Sequence, residues 1–570
     1  TLDKTVKGIN LRMNAYLKLN ILKELSFTTS FYAQFNRSDA VDFWSQESYY
    51  TKDLINRMTV IGDNGELERQ IPQGGISYTT DLKTNAFTIR NQLDFSKNFG
   101  EFTVTALGGM EIREEDLTST TQKRYGVDRQ ALQSVYINNP AEYFNTLVGF
   151  NGRPQLLDAN AYFYDDNIAE LGRDVSYYIN AGTVYKNKYS ISGSYRLDQS
   201  NLFGVDKRLR SNPLWSVGGL WNIAKEDFIS NEIIKRLDFK VSYGITGNVR
   251  KGLLTNATAA FGTNQYQEIF LNKLSAQNDG LGHEDTKIFN IGSQFALFDW
   301  LSGGIEYFSK KGSNLLGQTP IDYTYGWLNA WSNYASTTNK GVELTFNFKV
   351  IENKDWNLNL GFNTTFVNSE VLDVQSIVDQ ASFYAPRFKP FPLEGYPVNS
   401  LFAFKYGGID SSGTGLIINN EGEVLPASFA STFTVDDLFH VGSVSPTYFG
   451  GITSNLKYKN FTLDLLFTYK GGHVSRMPHP IYFDAYSVST NTHKSIANRW
   501  RNPGDENIDG ILPALRPSGV YYGAEDYGMF HTNDKVFDAD HLRFRKVSLS
   551  YDMSSIFNSK NTTLSVYGEV

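Results

Sequence analysis

The 570-residue chain has no cysteine, so disulfides and thiolate metal sites are excluded. It has only 6 methionines, and no stretch approaches the ~18 consecutive apolar residues that a membrane-spanning helix requires. A basic surplus is missing as well. The net charge is −7 and gives no reason to expect nucleic acid as a partner. There is no G-x-S-x-G elbow, no H-E-x-x-H and no phosphate loop, so nothing marks the chain as an enzyme. Thr1 opens in polar, strand-like sequence with no signal peptide, which leads us to expect a start inside a longer precursor.

What is abundant is aromatic. Forty Phe and 34 Tyr contribute to an aromatic fraction of 14%, which favours strands over helices. In LDFKVSYGIT the apolar residues Leu237, Phe239, Val241, Tyr243 and Ile245 alternate with Asp238, Lys240, Ser242, Gly244 and Thr246. Successive strand side chains point to opposite faces, so one face is apolar and the other polar. The same alternation recurs in LSFTTSFYAQF, FTIRNQLDF, KYSISGSYRL, WNLNLGFNTTF and NFTLDLLFTYK. About sixteen such segments occur, each close to the ~9–11 residues of a tilted membrane strand.

Two kinds of connection separate them. Lys97–Gly100, Lys186–Lys188, Glu352–Asp355 and Tyr458–Asn460 are short hairpin turns with aromatics crowded beside them. The long connections fall near 113–174, 247–286, 311–337, 368–399, 408–446 and 471–540. Short turns alternating with long loops, with aromatics at strand ends, predict an all-β, antiparallel transmembrane β-barrel occupying 1–570. A soluble sandwich is the competing reading, but its strands are usually shorter. A propeller would show a fixed repeat, and none is found.

Few residues announce chemistry. GDENIDG places Asp505, Asn507, Asp509 and Gly510 as the first half of a calcium loop. Its twelfth position is Arg516 instead of a bidentate Glu, so calcium is a weak expectation. His473, His479 and His493 share one loop at spacings that fit no common metal pattern. Adjacent Glu114 and Glu115 read as solvated loop carboxylates. Tyr323, Tyr325, Trp327, Trp331 and Tyr334 cluster in one loop, and Tyr521, Tyr522 and Tyr527 in another. Flat rings with polar tips suit a substrate or a partner protein, and equally suit packing of the loops on one another.

The motifs together resemble the SusC/RagA family of TonB-dependent outer-membrane transporters. YRLDQSNLFG, LWSVGGLWNIAKEDF and LDFKVSYGITGN are similar to its mid-barrel signature, with Pro213 shifted. NYASTTNKGVELTF, LEGYPVNSLFAFKYGGID, SPTYFGGITSNLKYKNFTL and FDADHLRFRKVSLSYDM follow in the family's order. The resemblance covers most of the chain from about Lys186 onward. It implies part of a barrel of roughly 22 strands, with no plug or TonB box in this chain. It also implies import of oligosaccharides or peptides with a SusD-like surface lipoprotein and the TonB–ExbB–ExbD complex. The alternative is a barrel retained as a structural subunit of an outer-membrane assembly or secretion complex.

Overall fold

The short turns have the geometry that their residues predict. In the computed structural model Lys186 and Asn187 both take positive φ, 50° and 55°, and the Lys188 N–H closes the turn on the Tyr185 carbonyl at 2.9 Å. Two left-handed residues in succession give a hairpin twist that matches that of the strands it joins. Asn353 closes its turn differently: its side chain accepts from the Asp355 and Trp356 amides at 3.1 and 2.8 Å. The structure describes the chain apart from residues 1, 58, 62–63, 70, 136–164, 202–210, 230–232, 249–254, 256, 264–268, 375–391, 478–492, 516–527, 554–564 and 570.

Contacts group the chain into two units. The first comprises Thr1–Thr183, Ser194–Leu214 and Arg250–Leu281. It holds β1 (Leu2–Asn20), β2 (Leu25–Trp44), β3 (Gly75–Phe99), β4 (Phe102–Asp128) and nearly all of β5 (Asp165–Tyr185). Each pairs with the next, as an antiparallel meander from β1 to β4 and then from β4 to β5. A helix, α1 (Tyr49–Arg57), follows β2.

Beside that helix, Tyr50, Tyr78 and Tyr125 surround the Lys123 ammonium, with ring centroids at 5.7, 5.0 and 5.2 Å. Trp44 packs on Tyr50 and Tyr78. Lys123 is only 2% exposed. Burial among the rings pulls its pKa down to about 8, because a charged ammonium is poorly solvated there.

The second unit comprises Val184–Gly193, Trp215–Val249 and Gly282–Val570. Its strands are the start of β6 (Tyr189–Ser200), most of β7 (Ser211–Asn222), β8 (Ile234–Asn248), β9 (Glu284–Leu297) and β10 (Leu301–Pro320). They continue as β11 (Asn329–Glu352), β12 (Trp356–Asp373), β13 (Tyr448–Tyr458), β14 (Phe461–Gly471), β15 (His541–Asp552) and β16 (Ser565–Glu569). From β7 to β16 every strand pairs antiparallel with its successor.

Several strands overrun the expected loop boundaries. β4 continues to Asp128 and is 27 residues long, well into the connection expected from 113. β10 and β11 run to Pro320 and from Asn329, so the loop expected over 311–337 shrinks to 321–328. Alternation and cross-strand pairing satisfy the backbone in water as well as in lipid. Nothing in the local sequence therefore stops these strands at the membrane surface. The connections expected at 408–446 and 471–540 also contain short strands, including Gly415–Ile418 with Val424–Pro426, and Val474–Arg476 with Val536–Asp538.

Candidate functional site

Register makes the two faces of the second unit explicit. Leu237, Phe295, Gly303, Phe346, Phe362, Ile452, Phe467 and Phe544 are successive partners across eight strands, from β8 to β15. The adjacent row reads Asp238, Gln294, Gly304, Thr345, Asn363, Gly451, Thr468 and Arg543. One row is almost entirely apolar; its neighbour contains no large apolar residue. Gly303 is required in the apolar row, because a Cβ there would run into the Thr345 carbonyl and the Phe295 ring.

The apolar face is the exposed one. Ile191 is 62% and Val217 48% exposed, whereas Asp238 on the polar face is 5% exposed. A protein in water would not hold its aliphatic residues outward and its carboxylate inward. Lipid reverses that preference, so the exposed face is the bilayer-facing one.

The polar face is ion-paired and hydrogen-bonded. Arg236 contacts Asp238 and donates to Gln294 at 2.6 Å, Lys240 pairs with Glu306, and Asn455 donates to Asp464 at 2.6 Å. Glu343 lies directly opposite Glu306 in register. Arg236, Lys240, Glu306 and Glu343 line one concavity of about 350 Å³.

At the short-turn end, aromatic pairs close the strands. Trp356 packs on Tyr458 at 4.2 Å, Phe461 on Tyr551 at 4.6 Å, and Tyr189 stacks between Tyr185 and Trp221. Just beyond β7, Glu226 accepts from the Tyr189 hydroxyl, from Trp221 Nε1 at 2.9 Å and from Lys188 Nζ at 3.0 Å. These donors draw its pKa down to about 2.

At the opposite end, segments at 404–433, 494–515 and 528–533 fold together into a loop body. Its core is Phe404, Ile409, Ile417, Ala427, Ala430, Phe433, Ile511 and Met529, with Tyr406 and Trp500 packed against it. The Phe404 N–H donates to the His531 carbonyl and the Asn533 N–H to the Phe404 carbonyl, both at 2.9 Å. Sequence reading missed this core. The only available signal was the density of small apolar residues in GLIINNEGEVLPASFASTF.

The residues singled out from sequence divide. Tyr323 and Tyr325 stand 71% and 68% exposed on the tip of the β10–β11 hairpin, where Asp322 caps the turn through the Thr324 N–H at 2.9 Å. Trp327, Trp331 and Tyr334 are half-buried in the same hairpin. Tyr521, Tyr522 and Tyr527 lie outside the described residues.

Asp505, Asn507 and Asp509 form a tight turn that is closed internally. Asp505 Oδ2 accepts the Arg501 and Asn502 amides at 2.9 Å each, and Asn507 Nδ2 donates to the Gly504 carbonyl. His473 lies 3.7 Å from Asp540 and packs on His541, His493 bonds Ser495, and His479 lies outside the described residues. Among the described residues no group of three or more His, Cys, Asp or Glu is arranged to hold a metal. Glu114 and Glu115 sit on β4 and not in a loop, where each pairs with an arginine, Arg173 and Arg113. Strand β4 simply extends past the point where a loop was expected.

Known proteins share this arrangement. No family model matches the chain. The TonB-dependent receptor P3 of Formosa agariphila is 22% identical over 561 residues, covering 94% of this chain and 52% of that relative. SusC of Bacteroides thetaiotaomicron, also named a TonB-dependent receptor, is 23% identical over 410 residues, covering 68% of this chain and 38% of the relative. The chain thus spans about half the length, or less, of these curated relatives. A solved structure described as the RagAB peptide transporter superposes on all of this chain and 59% of its own, with TM-score 0.76 and 20% identity. Taken with the inverted faces and the aromatic strand ends, these likenesses show the fold of an outer-membrane TonB-dependent receptor β-barrel and a similarity to SusC/RagA-like receptors over most of the chain.

Proposed function

We propose that the chain is the wall of an energised importer, taking up oligosaccharides or peptides across the outer membrane. The observation that carries this reading is the run of TonB-dependent receptor relatives, one of which matches 94% of the chain. The RagAB peptide transporter and importer structures, with TM-scores of 0.76, support the same class of task. In this scheme the strands do no covalent chemistry. The paired polar face borders the transit path, the apolar face anchors in lipid, and the loop body meets a SusD-like lipoprotein lid. Tyr323 and Tyr325 are the exposed contact residues, while Trp327, Trp331 and Tyr334 stiffen their hairpin. Coupling runs through TonB–ExbB–ExbD.

Deleting TonB is expected to abolish uptake; growth on the transported substrate unaffected by the deletion overturns the reading. Affinity capture from the outer membrane is expected to return one lidding lipoprotein. Recovery of a multi-subunit machine without one points to a structural subunit of an assembly or secretion complex instead.

A further inference from the structure

The loop body holds a cleft of about 680 Å³, within the size range of ordinary small-molecule sites. Four separated stretches of chain supply its side chains: Tyr406, then Met477, then Ser495, Asn498, Glu506, Asn507 and Asp509, then Asp534 and Lys535. The cleft is built on something rigid. Phe404, Ile409, Ile511 and Met529 form the core beneath it, and the Tyr406 N–H donates to Asn533 Oδ1 at 2.9 Å. The turn carrying Asn507 and Asp509 is pinned by Glu506, which accepts from Trp500 Nε1 at 2.9 Å and the Gly504 N–H at 2.8 Å.

The polar inventory is specific. Lys535 Nζ donates to Asp534 at 2.6 Å and lies 5.5 Å from the Tyr406 ring centroid. Burial, with Asp534 and Asp509 nearby, raises the Tyr406 hydroxyl above the ordinary tyrosine range, so it stays a neutral donor. Asp509 is exposed and, among the described residues, makes no hydrogen bond or ion pair. Three carboxylates, two amides, a serine hydroxyl, a phenol and an ammonium therefore line one cleft, with Glu506 already engaged by Trp500 and Gly504.

An extended peptide is a poor match, since it would need a free strand edge to pair with. The bordering strand, Lys405–Ile409, has none on offer at Tyr406: Gly415–Ile418 pairs along one side and Asn533 takes the Tyr406 N–H. A polyol fits better, because every hydroxyl both donates and accepts, and neighbouring hydroxyls can span the two oxygens of one carboxylate.

We propose that this cleft binds a saccharide, with Asp509 accepting from a vicinal diol and Asn498 and Asn507 fixing the adjacent hydroxyls. The proposal rests on the importer reading and names a glycan as its captured substrate.

The test uses the full-length receptor in detergent micelles on two printed arrays, one of neutral oligosaccharides and one of four- to eight-residue peptides. Binding is expected on the oligosaccharide array. Asp509→Ala and Asn498→Ala, both at exposed positions, are each expected to weaken the best-bound sugar about tenfold or more. The protease pattern of the loop body should stay unchanged in both variants. Peptide binding alone, binding to neither array, or sugar binding indifferent to both substitutions overturns the proposal. Uptake separates this from the importer reading. If TonB deletion abolishes growth while Asp509→Ala leaves the half-saturating sugar concentration unchanged, the cleft is refuted and the importer stands.

Discussion

The wall and the loop body of the second unit are built from the same residue types in opposite senses. On the wall Val217 and Ile191 point outward, and Asp238 is sheltered and held by Arg236. In the loop body Ile417 and Ala427 are fully buried, Phe404 is 2% exposed, and Asp509 is outside. One chain thus follows two solvents. Burial of apolar surface away from water drives the loop body. On the wall lipid covers the apolar face, so stability there rests on strand pairing and on the ion pairs of the polar face. A single hydropathy average over both, −0.35, describes neither.

That contrast can be broken at either end. The largest effect is expected for Phe404→Ala, which empties the loop-body core at a cost of about 3–5 kcal/mol. Limited proteolysis should then cut within the loop body while the barrel still resists heated detergent; joint loss of both would show that the two are one cooperative body. Val241→Arg, on the exposed face midway along β8, should cost about 2–4 kcal/mol in a bilayer. Urea unfolding from lipid vesicles measures this, and an equal cost for Ser242→Arg on the other face would erase the distinction.

Two pH experiments probe smaller effects outside the lipid band. Lys123 has its pKa lowered from 10.5 to about 8, so the unfolded chain binds more protons between those values. Stability around α1 should therefore rise with pH from about 8 to 10.5, and Lys123→Met should be flat over that range, as read by amide exchange. Glu226 is shifted from 4.5 to about 2. Its contribution is present above pH 4.5 and lost as pH falls toward 2; Glu226→Gln should remove that acid limb, followed by Trp221 fluorescence.

Much of the wall was legible in the sequence because its signal is local. LDFKVSYGIT declares its two faces by itself, and Lys186–Lys188 with flanking Tyr185 and Tyr189 is a turn readable within five residues. The loop body was not, since Phe404 finds its backbone partners at His531 and Asn533, more than a hundred residues away, and its strands are three to five residues long. The cage around Lys123 is non-local in the same way, drawing Tyr50, Tyr78 and Tyr125 from separate elements. The calcium pattern is ambiguous in the sequence for a related reason. Oxygen-bearing residues at the right spacing also suit a self-capping turn, and here Asp505 accepts the backbone amides of Arg501 and Asn502.

The 27 residues of β4, paired with β3 from Phe102 up to Val127, carry a practical corollary. At ~3.3 Å per residue such a ribbon extends roughly 90 Å, of which a bilayer claims only ~9–11 residues. Detergent or a nanodisc would girdle the part of the β3–β4 hairpin next to its Lys97–Gly100 turn and leave most of the ribbon in buffer. A spin label at Thr118 should therefore report water, and an antibody raised against that stretch should stain intact cells.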